Sequence, residues 1–387
     1  MKIIYCICSI YNPGGMERVL LNKATYLAEK MNWEVVVVTT DQQGKASFYP
    51  FPKQIRLIDL DINYSVDNNQ PAFTKITGYL RRRKLHRKRL TELLMKERAD
   101  IVVSLYPSES SFIPSIQDGS KKVLELHYSK FFRLQYNRTG LLGAIDRWRT
   151  RQDEQIVRRF DKFVVLTQED KGYWGNLPNI EVIPNAAMFI SDVHSDCTAK
   201  RVLAVGRLDY QKGFDRLIHA WALVQQDKRF ADWQLDIFGQ GEWKDMLEKL
   251  IQEKGLTQTA HINRPTNAIG KEYSRSALLA MSSHYEGFPM VMIEAMACAL
   301  PVVTFDYKCG PRDIIDDGIN GLLVKEGDIE GLAVAMMKVM ENEELRQRMS
   351  QQARKVTERF SEEVVMQQWL SLFSSLTNPK TAKGNRS

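Results

Sequence analysis

Residues 277–299 read ALLAMSSHYEGFPMVMIEAMACA, and this segment indicates the fold class. Residues 277–282 form an apolar run without polar alternation, which is typical of a parallel strand buried on both faces. A loop carrying Glu286 and Gly287 follows. Pro289 then predicts the start of a helix, because proline is favoured at the first helical position. A buried strand that leads through a loop into a helix is the repeating unit of α/β folds.

The same alternation of strands and helices continues in both directions. In the first half the predicted strands are 2–10, 34–40, 55–60, 101–105, 121–127, 162–167 and 181–183, with helices at 16–30 and 145–160 among others. In the second half the predicted strands are 201–205, 233–238, 260–262, 277–282, 301–305 and 321–324, with helices at 214–226, 242–254, 289–299 and 329–341. Two such arrays predict an α/β protein of two Rossmann-like, doubly wound domains, with a cleft at the carboxyl ends of the strands.

The domain boundary is expected where this pattern stops. Pro184-Asn185 interrupts it, and a polar stretch without clear periodicity runs on to Lys200. We therefore expect a first domain at 1–185 and a second at 186–360. Residues 361–387 are expected to form a C-terminal helix that packs back toward the first domain, followed by a frayed polar tail.

The composition is that of a soluble globular protein, with 44% hydrophobic and 26% charged residues. No apolar run approaches the roughly 20 residues that a membrane-spanning helix needs. The five cysteines are scattered, and the short apolar N-terminus reads as a strand rather than a secretory signal. We therefore expect a reduced, cytoplasmic protein.

The loop and helix around Pro289 favour an anion site. At a helix start, the backbone amides of Met290, Val291 and Met292 are expected to be free to bind a diphosphate. Glu294, one turn further along, is suited to accept hydrogen bonds from a ribose diol. Glu286 is suited to hold the hydroxyl groups of a sugar. The alternative is that both glutamates simply cap the helix or lie on its surface without a ligand.

A second candidate segment follows the strand that ends at Gly206. Arg207 and Lys212 flank the turn into the next helix, where a guanidinium fork and a point charge can neutralise a diphosphate. Two ordinary surface cations would look the same in sequence. In the first half, Gly14 and Gly15 follow the first strand and allow a ligand to approach the backbone closely, although a plain turn explains them too. His127 ends another strand, and a lone histidine is as often structural as catalytic.

These four segments, in this order, resemble the family-four retaining glycosyltransferases, whose GT-B fold consists of two facing Rossmann-like domains. The resemblance covers nearly the whole chain and is most specific at the Glu-x7-Glu spacing. It implies that the first domain takes the acceptor and the second the nucleotide sugar. The site residues that it implies are Gly14 and Gly15 in a glycine loop, Arg207 and Lys212 on the diphosphate beside Gly206, His127 near the transferred sugar, Glu286 on the hexosyl group and Glu294 on the ribose.

The resemblance also implies how the reaction runs. The family is thought to retain configuration by front-face attack, in which the departing phosphate oxygen accepts the acceptor's proton. Residues 309–315, CGPRDII, look like a subgroup that builds bacterial surface glycans from UDP-galactose or N-acetylhexosamine donors. We therefore expect a UDP-sugar as substrate, no further cofactor and no metal. Asp59-Leu60-Asp61 has the form of the manganese-binding DxD of another glycosyltransferase fold, but the rest of that fold's pattern is missing.

Two other classes of function remain open. One is another nucleotide-sugar enzyme on the same fold, such as a 2-epimerase or a phosphorylase with pyridoxal phosphate. The other is a non-catalytic binding or scaffold protein, against which the intact acidic and basic site residues argue.

The positive charge lies in the first half, which carries +9 at residues 1–185 against −2 at residues 186–387. Seven basic residues fall within 79–90, namely Arg81, Arg82, Arg83, Lys84, Arg87, Lys88 and Arg89. An apolar face for this helix is expected from Phe73, Ile76, Leu80, Leu90 and Leu94. Phe131 and Phe132 add aromatic side chains beside Arg133.

These features favour peripheral attachment to the anionic inner face of the membrane, with a glycan or polyprenyl-diphosphate-linked acceptor. A solvated helix face is the alternative. Nucleic acid is not expected as a partner, because no base-stacking aromatic residues are interleaved within the basic run.

Overall fold

The computed structural model describes residues 1–67, 71–105, 108–134, 139–187 and 194–377. The chain divides into two compact units. The first consists of Met1–Pro184 together with the residues from Val365 onward, and the second of Asn185–Val364.

The first unit is built on a seven-stranded parallel sheet. Its strands are β1 (Lys2–Ile7), β2 (Glu34–Thr39), β3 (Arg56–Asp59), β4 (Ile101–Ser104), β5 (Lys121–Glu125), β6 (Lys162–Val165) and β7 (Ile180–Val182). Their order in the sheet is β3-β2-β1-β4-β5-β6-β7. Most side chains of the central strands are fully buried, as expected for a sheet covered on both faces. The connections contain α1 (Gly15–Thr25), a π-helical turn at Tyr26–Lys30, α2 (Ala72–Glu97), α3 (Gly140–Val157) and α4 (Gln168–Trp174).

The second unit repeats this architecture with a six-stranded parallel sheet in the order β10-β9-β8-β11-β12-β13. Its strands are β8 (Arg201–Val205), β9 (Gln234–Phe238), β10 (Ala260–Asn263), β11 (Leu278–Met281), β12 (Val302–Asp306) and β13 (Gly321–Lys325). Its helices are α5 (Phe214–Val224), α6 (Lys244–Glu253), α7 (Ile269–Ser274), α8 (Met290–Ala297), α9 (Pro311–Ile314), α10 (Ile329–Glu341), α11 (Glu343–Ala353) and α12 (Thr357–Phe360). A last helix, α13 (Glu362–Thr377), runs from this unit into the first.

Both sheets have a topological switch point. In the first unit β1 lies between β2 and β4, and in the second β8 lies between β9 and β11, so the chain leaves in opposite directions from these positions. Open α/β sheets bind ligands at the carboxyl ends of the strands beside such a point. The prediction of two Rossmann-like, doubly wound domains is confirmed, and each sheet presents its loops at one such edge.

The helix α13 packs on the first unit through aromatic side chains. Trp369 is buried, and its ring lies 5.3 Å from that of Phe373. Phe373 in turn lies 5.9 Å from Trp33. The amine of Lys23, on α1, sits 3.8 Å from the centroid of the Trp369 ring. The helix is therefore part of the core of this unit.

The residues that were expected to give the basic helix α2 an apolar face divide into a buried and an exposed group. Leu90 and Leu94 are buried, whereas Ile76 is 61% exposed and Leu80 is 56% exposed. The buried side chains of this 26-residue helix all lie in its second half, from His86 onward, among those that the structure describes. The side chain of Phe73 lies outside the described residues. Among the described helices none is long and apolar enough to cross a membrane.

Candidate active site

The candidate site lies at the switch point of the second sheet, in the loops that follow β8 and β11. After Gly206 the chain forms a 3₁₀ turn, Tyr210–Lys212, whose start is capped by the carboxylate of Asp209. Gly213 ends that turn with a φ of +59°, and a Cβ there would lie 2.4 Å from the carbonyl oxygen of Ser282. Only glycine allows this approach, which brings the first loop against the end of β11.

The close approach joins Lys212 to Glu286. The Lys212 Nζ lies 2.5 Å from Oε1 of Glu286, and their side chains are only 13% and 7% exposed. Ser283 Oγ donates to the same oxygen at 2.9 Å. The aliphatic part of Lys212 lies over Gly206, where a Cβ would come within 3.0 Å of it. The lysine and the glutamate that the sequence assigned to different ligand groups are therefore direct partners.

Gln211 links this pair to Arg207. Its Oε1 accepts a 2.8 Å hydrogen bond from the Arg207 guanidinium. Its Nε2 donates to Oε2 of Glu286 and to the carbonyl oxygen of Tyr285, both at 3.1 Å. The sequence analysis missed this residue. The available signal was its position within the Arg207–Lys212 turn, together with an amide that can face a cation on one end and a carboxylate on the other.

Arg207 is presented to solvent at the edge of the site. Its side chain is 69% exposed, and its guanidinium lies 3.4 Å from Asp209. An exposed guanidinium held by a neutral amide keeps hydrogen-bond donors for an anion. Arg207, Lys212 and Glu286 are thus brought together as the sequence predicted.

The prediction for the start of α8 is partly wrong. The amide of Met290 donates to the carbonyl oxygen of Phe288 at 3.0 Å, and that of Met292 donates to Pro289, also at 3.0 Å. Pro289 has φ −81° and ψ 81°, near the inverse γ-turn, which closes the first of these bonds. Of the three expected amides, only Val291 is not engaged in these turns.

Glu294 faces a fixed donor from α7. Its Oε2 accepts a 3.1 Å hydrogen bond from the hydroxyl group of Tyr273. Burial, with the nearby Glu294 charge, raises the pKa of Tyr273 well above its usual value, so this hydroxyl group stays protonated. The Glu294 carboxylate therefore already accepts a hydrogen bond within the protein. A bound ribose would share this carboxylate with Tyr273.

His284 stiffens the loop after β11. Its ring stacks on Tyr210 with centroids 4.2 Å apart, and its Nδ1 lies 2.9 Å from the Arg216 guanidinium. Burial and the adjacent Arg216 charge lower the pKa of His284. A neutral imidazole therefore holds the two site loops together.

The first unit brings together its own group of predicted residues. Gly14 precedes α1 and Gly15 begins it; a Cβ on Gly14 would lie 2.0 Å from the Glu17 carboxylate, whereas one on Gly15 would meet open space. His127 follows β5, and its Nε2 lies 3.1 Å from Oε1 of Glu125. Burial raises the pKa of Glu17, and the nearby His127 opposes this shift.

The predicted acceptor and membrane residues divide into two groups. Phe131 and Phe132 are half-buried and pack on Tyr173 and Tyr128, at centroid distances of 5.2 and 5.3 Å. Neither side chain extends into solvent, as a residue that inserts into a membrane would. The basic residues of α2 are mostly exposed, but Arg82 and Arg89 donate to the carbonyl oxygens of Ile62 and Asp61, at 2.8 and 2.9 Å. Those that remain exposed are Arg81, Arg83, Lys84, Arg87 and Lys88.

Comparison with known families gives a match in each unit. Residues 13–187 match the model described as Glycosyltransferase Family 4, and residues 190–356 match the model described as Glycosyl transferases group 1.

Two curated relatives are similar over nearly the whole chain. The amylovoran biosynthesis glycosyltransferase AmsD of Erwinia amylovora is 37% identical over 387 residues, covering 95% of this chain and 98% of the relative. A Campylobacter jejuni enzyme is 24% identical over 383 residues, covering 98% and 99%. Its name describes an α-1,4-N-acetyl-D-galactosaminyltransferase that acts on a PP-undecaprenol-linked glycan.

Among solved structures, that of a Staphylococcus aureus TarM mutant with fondaparinux, α-GlcNAc-glycerol and UDP has a TM-score of 0.77. Its sequence is 18% identical, and the match covers 97% of this chain and 100% of that one. At this identity the likeness establishes the fold, which is that of the GT-B glycosyltransferases.

Proposed function

Because the chain belongs to the family-four glycosyltransferases, we propose that it moves a hexosyl or N-acetylhexosaminyl group from a UDP-sugar to a glycan of the bacterial surface. The transfer retains the anomeric configuration and needs no metal. The observation that carries the proposal is the Arg207–Gln211–Glu286–Lys212 group at the switch point of the second sheet.

The cations of this group act on the leaving diphosphate. Arg207 offers a planar fork of donors, and Lys212 offers a compact charge with little exposure to water. Such preorganised charge stabilises the developing negative charge without reorganisation during the reaction. Glu286 holds the lysine in place and binds a hydroxyl group of the transferred sugar. Glu294 binds the ribose together with Tyr273.

Retention follows from attack on the face that the diphosphate leaves. The bond between the anomeric carbon and the phosphate oxygen breaks, and the acceptor oxygen bonds to the same face of that carbon. The acceptor's proton passes to the departing phosphate oxygen. In the first unit, His127 binds the transferred sugar, and the loop at Gly14 and Gly15 contacts the donor.

We assign the acceptor to the lipid-linked class. The similarity to an enzyme that is named for a PP-undecaprenol-linked glycan supports this assignment. The exposed half of α2 supports it as well, since Ile76, Tyr79 and Leu80 lie uncovered beside Arg81 and Lys84. An exposed apolar strip edged by cations fits the surface of an anionic membrane. The protein would then act as a peripheral enzyme at the inner face.

The test begins with donor binding. UDP-, GDP- and ADP-sugars are screened by thermal shift with EDTA present. A donor at 100 times its Kd should raise the free energy of unfolding by about 2.7 kcal/mol. The stabilising donor is then incubated with short lipid-linked glycans, and the product's anomeric configuration is read by NMR. A shift with a UDP-sugar, followed by transfer with retention, is the expected result. An inverted product, strict dependence on metal, or stabilisation by none of the UDP-sugars would overturn the corresponding part of the proposal.

A further inference from the structure

Lys23 is a charged residue buried in the core of the first unit. Its amine lies 2.5 Å from Oε1 of Glu125, and the two side chains are only 5% and 1% exposed. The same amine lies 3.8 Å from the ring centroid of Trp369 on α13 and 5.9 Å from that of Tyr5 on β1. Burial lowers the pKa of Lys23, while the charge of Glu125 opposes that shift. A buried ion pair is costly to form, so its presence calls for an explanation beyond stability.

Glu125 connects this lysine to His127. Burial alone would raise the pKa of Glu125, but the charges of Lys23 and His127 and the hydrogen bond from Lys23 lower it to about 2. The group is therefore a carboxylate. Its Oε1 lies 2.5 Å from the Lys23 amine and 3.1 Å from Nε2 of His127. One oxygen atom thus contacts both side chains.

We propose that Lys23, Glu125 and Trp369 form a positioning network that holds the imidazole of His127 in its working orientation. The inference rests on the proposed function, in which His127 binds the transferred sugar. Glu125 fixes the ring by its negative charge, Lys23 fixes the carboxylate, and the face of Trp369 covers the lysine. None of the three touches substrate, so each acts through His127. Helix α13 thereby contributes to catalysis.

The position of the pair on the strand supports a role in the site. Glu125 is the last residue of β5, and His127 follows two residues later, so the carboxylate lies at the sheet edge where ligands bind. At the other end of β5, Lys122 forms a similarly buried ion pair with Asp118, with exposures of 5% and 0%. That second pair is far from the ligand-binding edge and provides a control within the same strand.

Trp369 has a matched control as well. Phe373 lies one turn along α13, is equally buried, and contacts Trp33. A cation over the face of a tryptophan is attracted by the ring, and more strongly when the pair is removed from water. Loss of either aromatic ring should weaken the packing of α13, but only loss of Trp369 removes the ring that lies over Lys23.

The experiment compares K23M with K122M and W369L with F373L in the full-length protein. Each variant is characterised by its melting temperature and by kcat and KM for the donor. We expect all four substitutions to lower the melting temperature. We expect only K23M and W369L to lower kcat, by about 10- to 100-fold, because a small misplacement of a catalytic group has effects of that size. W369F keeps an aromatic face and should recover most of the lost rate.

A double-mutant cycle separates positioning from stability. In an H127A background, K23M should lower kcat no further, since the group that it positions is gone. Equal losses of kcat in K23M and K122M, additive losses in the cycle, or full activity of H127A would each overturn the inference. These outcomes differ from failure of the proposed function, which would appear as no transfer by the wild-type protein with any UDP-sugar.

Discussion

The Nζ of Lys212 and Oε1 of Glu286 lie 2.5 Å apart and join the two loops that border the switch point of the second sheet. Because both side chains are largely buried, each is the other's main compensation for the loss of water. The pair therefore serves the local structure and the chemistry at once. Substitutions can therefore measure its contribution to stability and its contribution to turnover separately.

Replacing Lys212 by Met should reduce both stability and turnover. The substitution leaves the buried Glu286 carboxylate without its cation, which typically costs about 3–5 kcal/mol. R207A should leave stability almost unchanged, because that side chain is exposed, yet lower kcat by about 100-fold or more. Urea unfolding and steady-state kinetics measure the two effects. K244M, which breaks the exposed pair with Glu248, is the control. Turnover within twofold of wild type in R207A or K212M would contradict the assignment.

Gln211 should matter for catalysis although it carries no charge. Replacing it by Leu removes the bridge between Arg207 and Glu286 and takes a hydrogen-bond donor from the buried Glu286 carboxylate, which should lower the free energy of unfolding by about 1–3 kcal/mol. We expect kcat/KM to fall by at least about tenfold. Q225L provides the comparison, since Gln225 also donates to a backbone carbonyl group but does so away from the site. Similar kinetics in the two variants would mean that Gln211 only supports the loop.

Glu294 should determine how tightly the nucleotide is held through its ribose. E294A is expected to weaken UDP binding about tenfold, the effect of one charged hydrogen bond. The variant and the wild-type protein should bind 2′,3′-dideoxy-UDP equally, because that ligand lacks the diol. Y273F tests the internal partner of the carboxylate and should retain the preference for UDP. Calorimetric titration gives all six affinities, and an unchanged preference in E294A would exclude the ribose contact.

Acid should weaken the first unit through His86. Burial lowers the pKa of this residue to about 4, against an ordinary value of 6.5. The folded protein then binds fewer protons than the unfolded chain between these values, so stability is present above pH 6.5 and falls as the pH drops to 4. H86L should flatten this part of the profile. Urea unfolding at several pH values between 7.5 and 4 measures it, and an equal decline in H86L would assign the effect to other groups.

The exposed half of α2 should govern attachment to anionic vesicles. Each Lys or Arg near such a surface contributes on the order of 1 kcal/mol, so the R81E/K84E variant should lose most of its binding at low salt. Flotation with phosphatidylglycerol vesicles measures this, and binding should fall as salt rises. K249E changes an exposed lysine on α6 and should float like wild type. No flotation of the wild-type protein at low salt would refute the membrane assignment.

The sheets could be predicted because their signal is local. Runs such as Val35–Val38 are short, rich in β-branched residues and apolar on both faces, which is typical of a covered parallel strand. Arg207, Lys212 and Glu286 could be predicted as a group because they follow strands β8 and β11, whose ends share one edge. Their position follows from topology alone.

Other features depend on information that the sequence does not carry locally. The amide of Met290 is engaged because of the ψ angle at Pro289, which the proline ring does not fix. The exposure of Ile76 depends on which part of α2 packs on the core of the first unit. Lys23 and Glu125 are 102 residues apart, so their ion pair becomes visible only in the folded chain.

The placement of α13 in the first unit also sets an order of assembly during synthesis. More than three hundred residues separate Lys23 from Trp369, and the whole second unit lies between them in the sequence. At ordinary translation speeds the ribosome needs tens of seconds to bridge that interval. The second unit is therefore fully synthesised while the buried lysine still lacks its aromatic cover. The first unit is therefore the first to be started by the ribosome and the last to be completed. A chain whose synthesis stops before Trp369 has a first unit that lacks this residue.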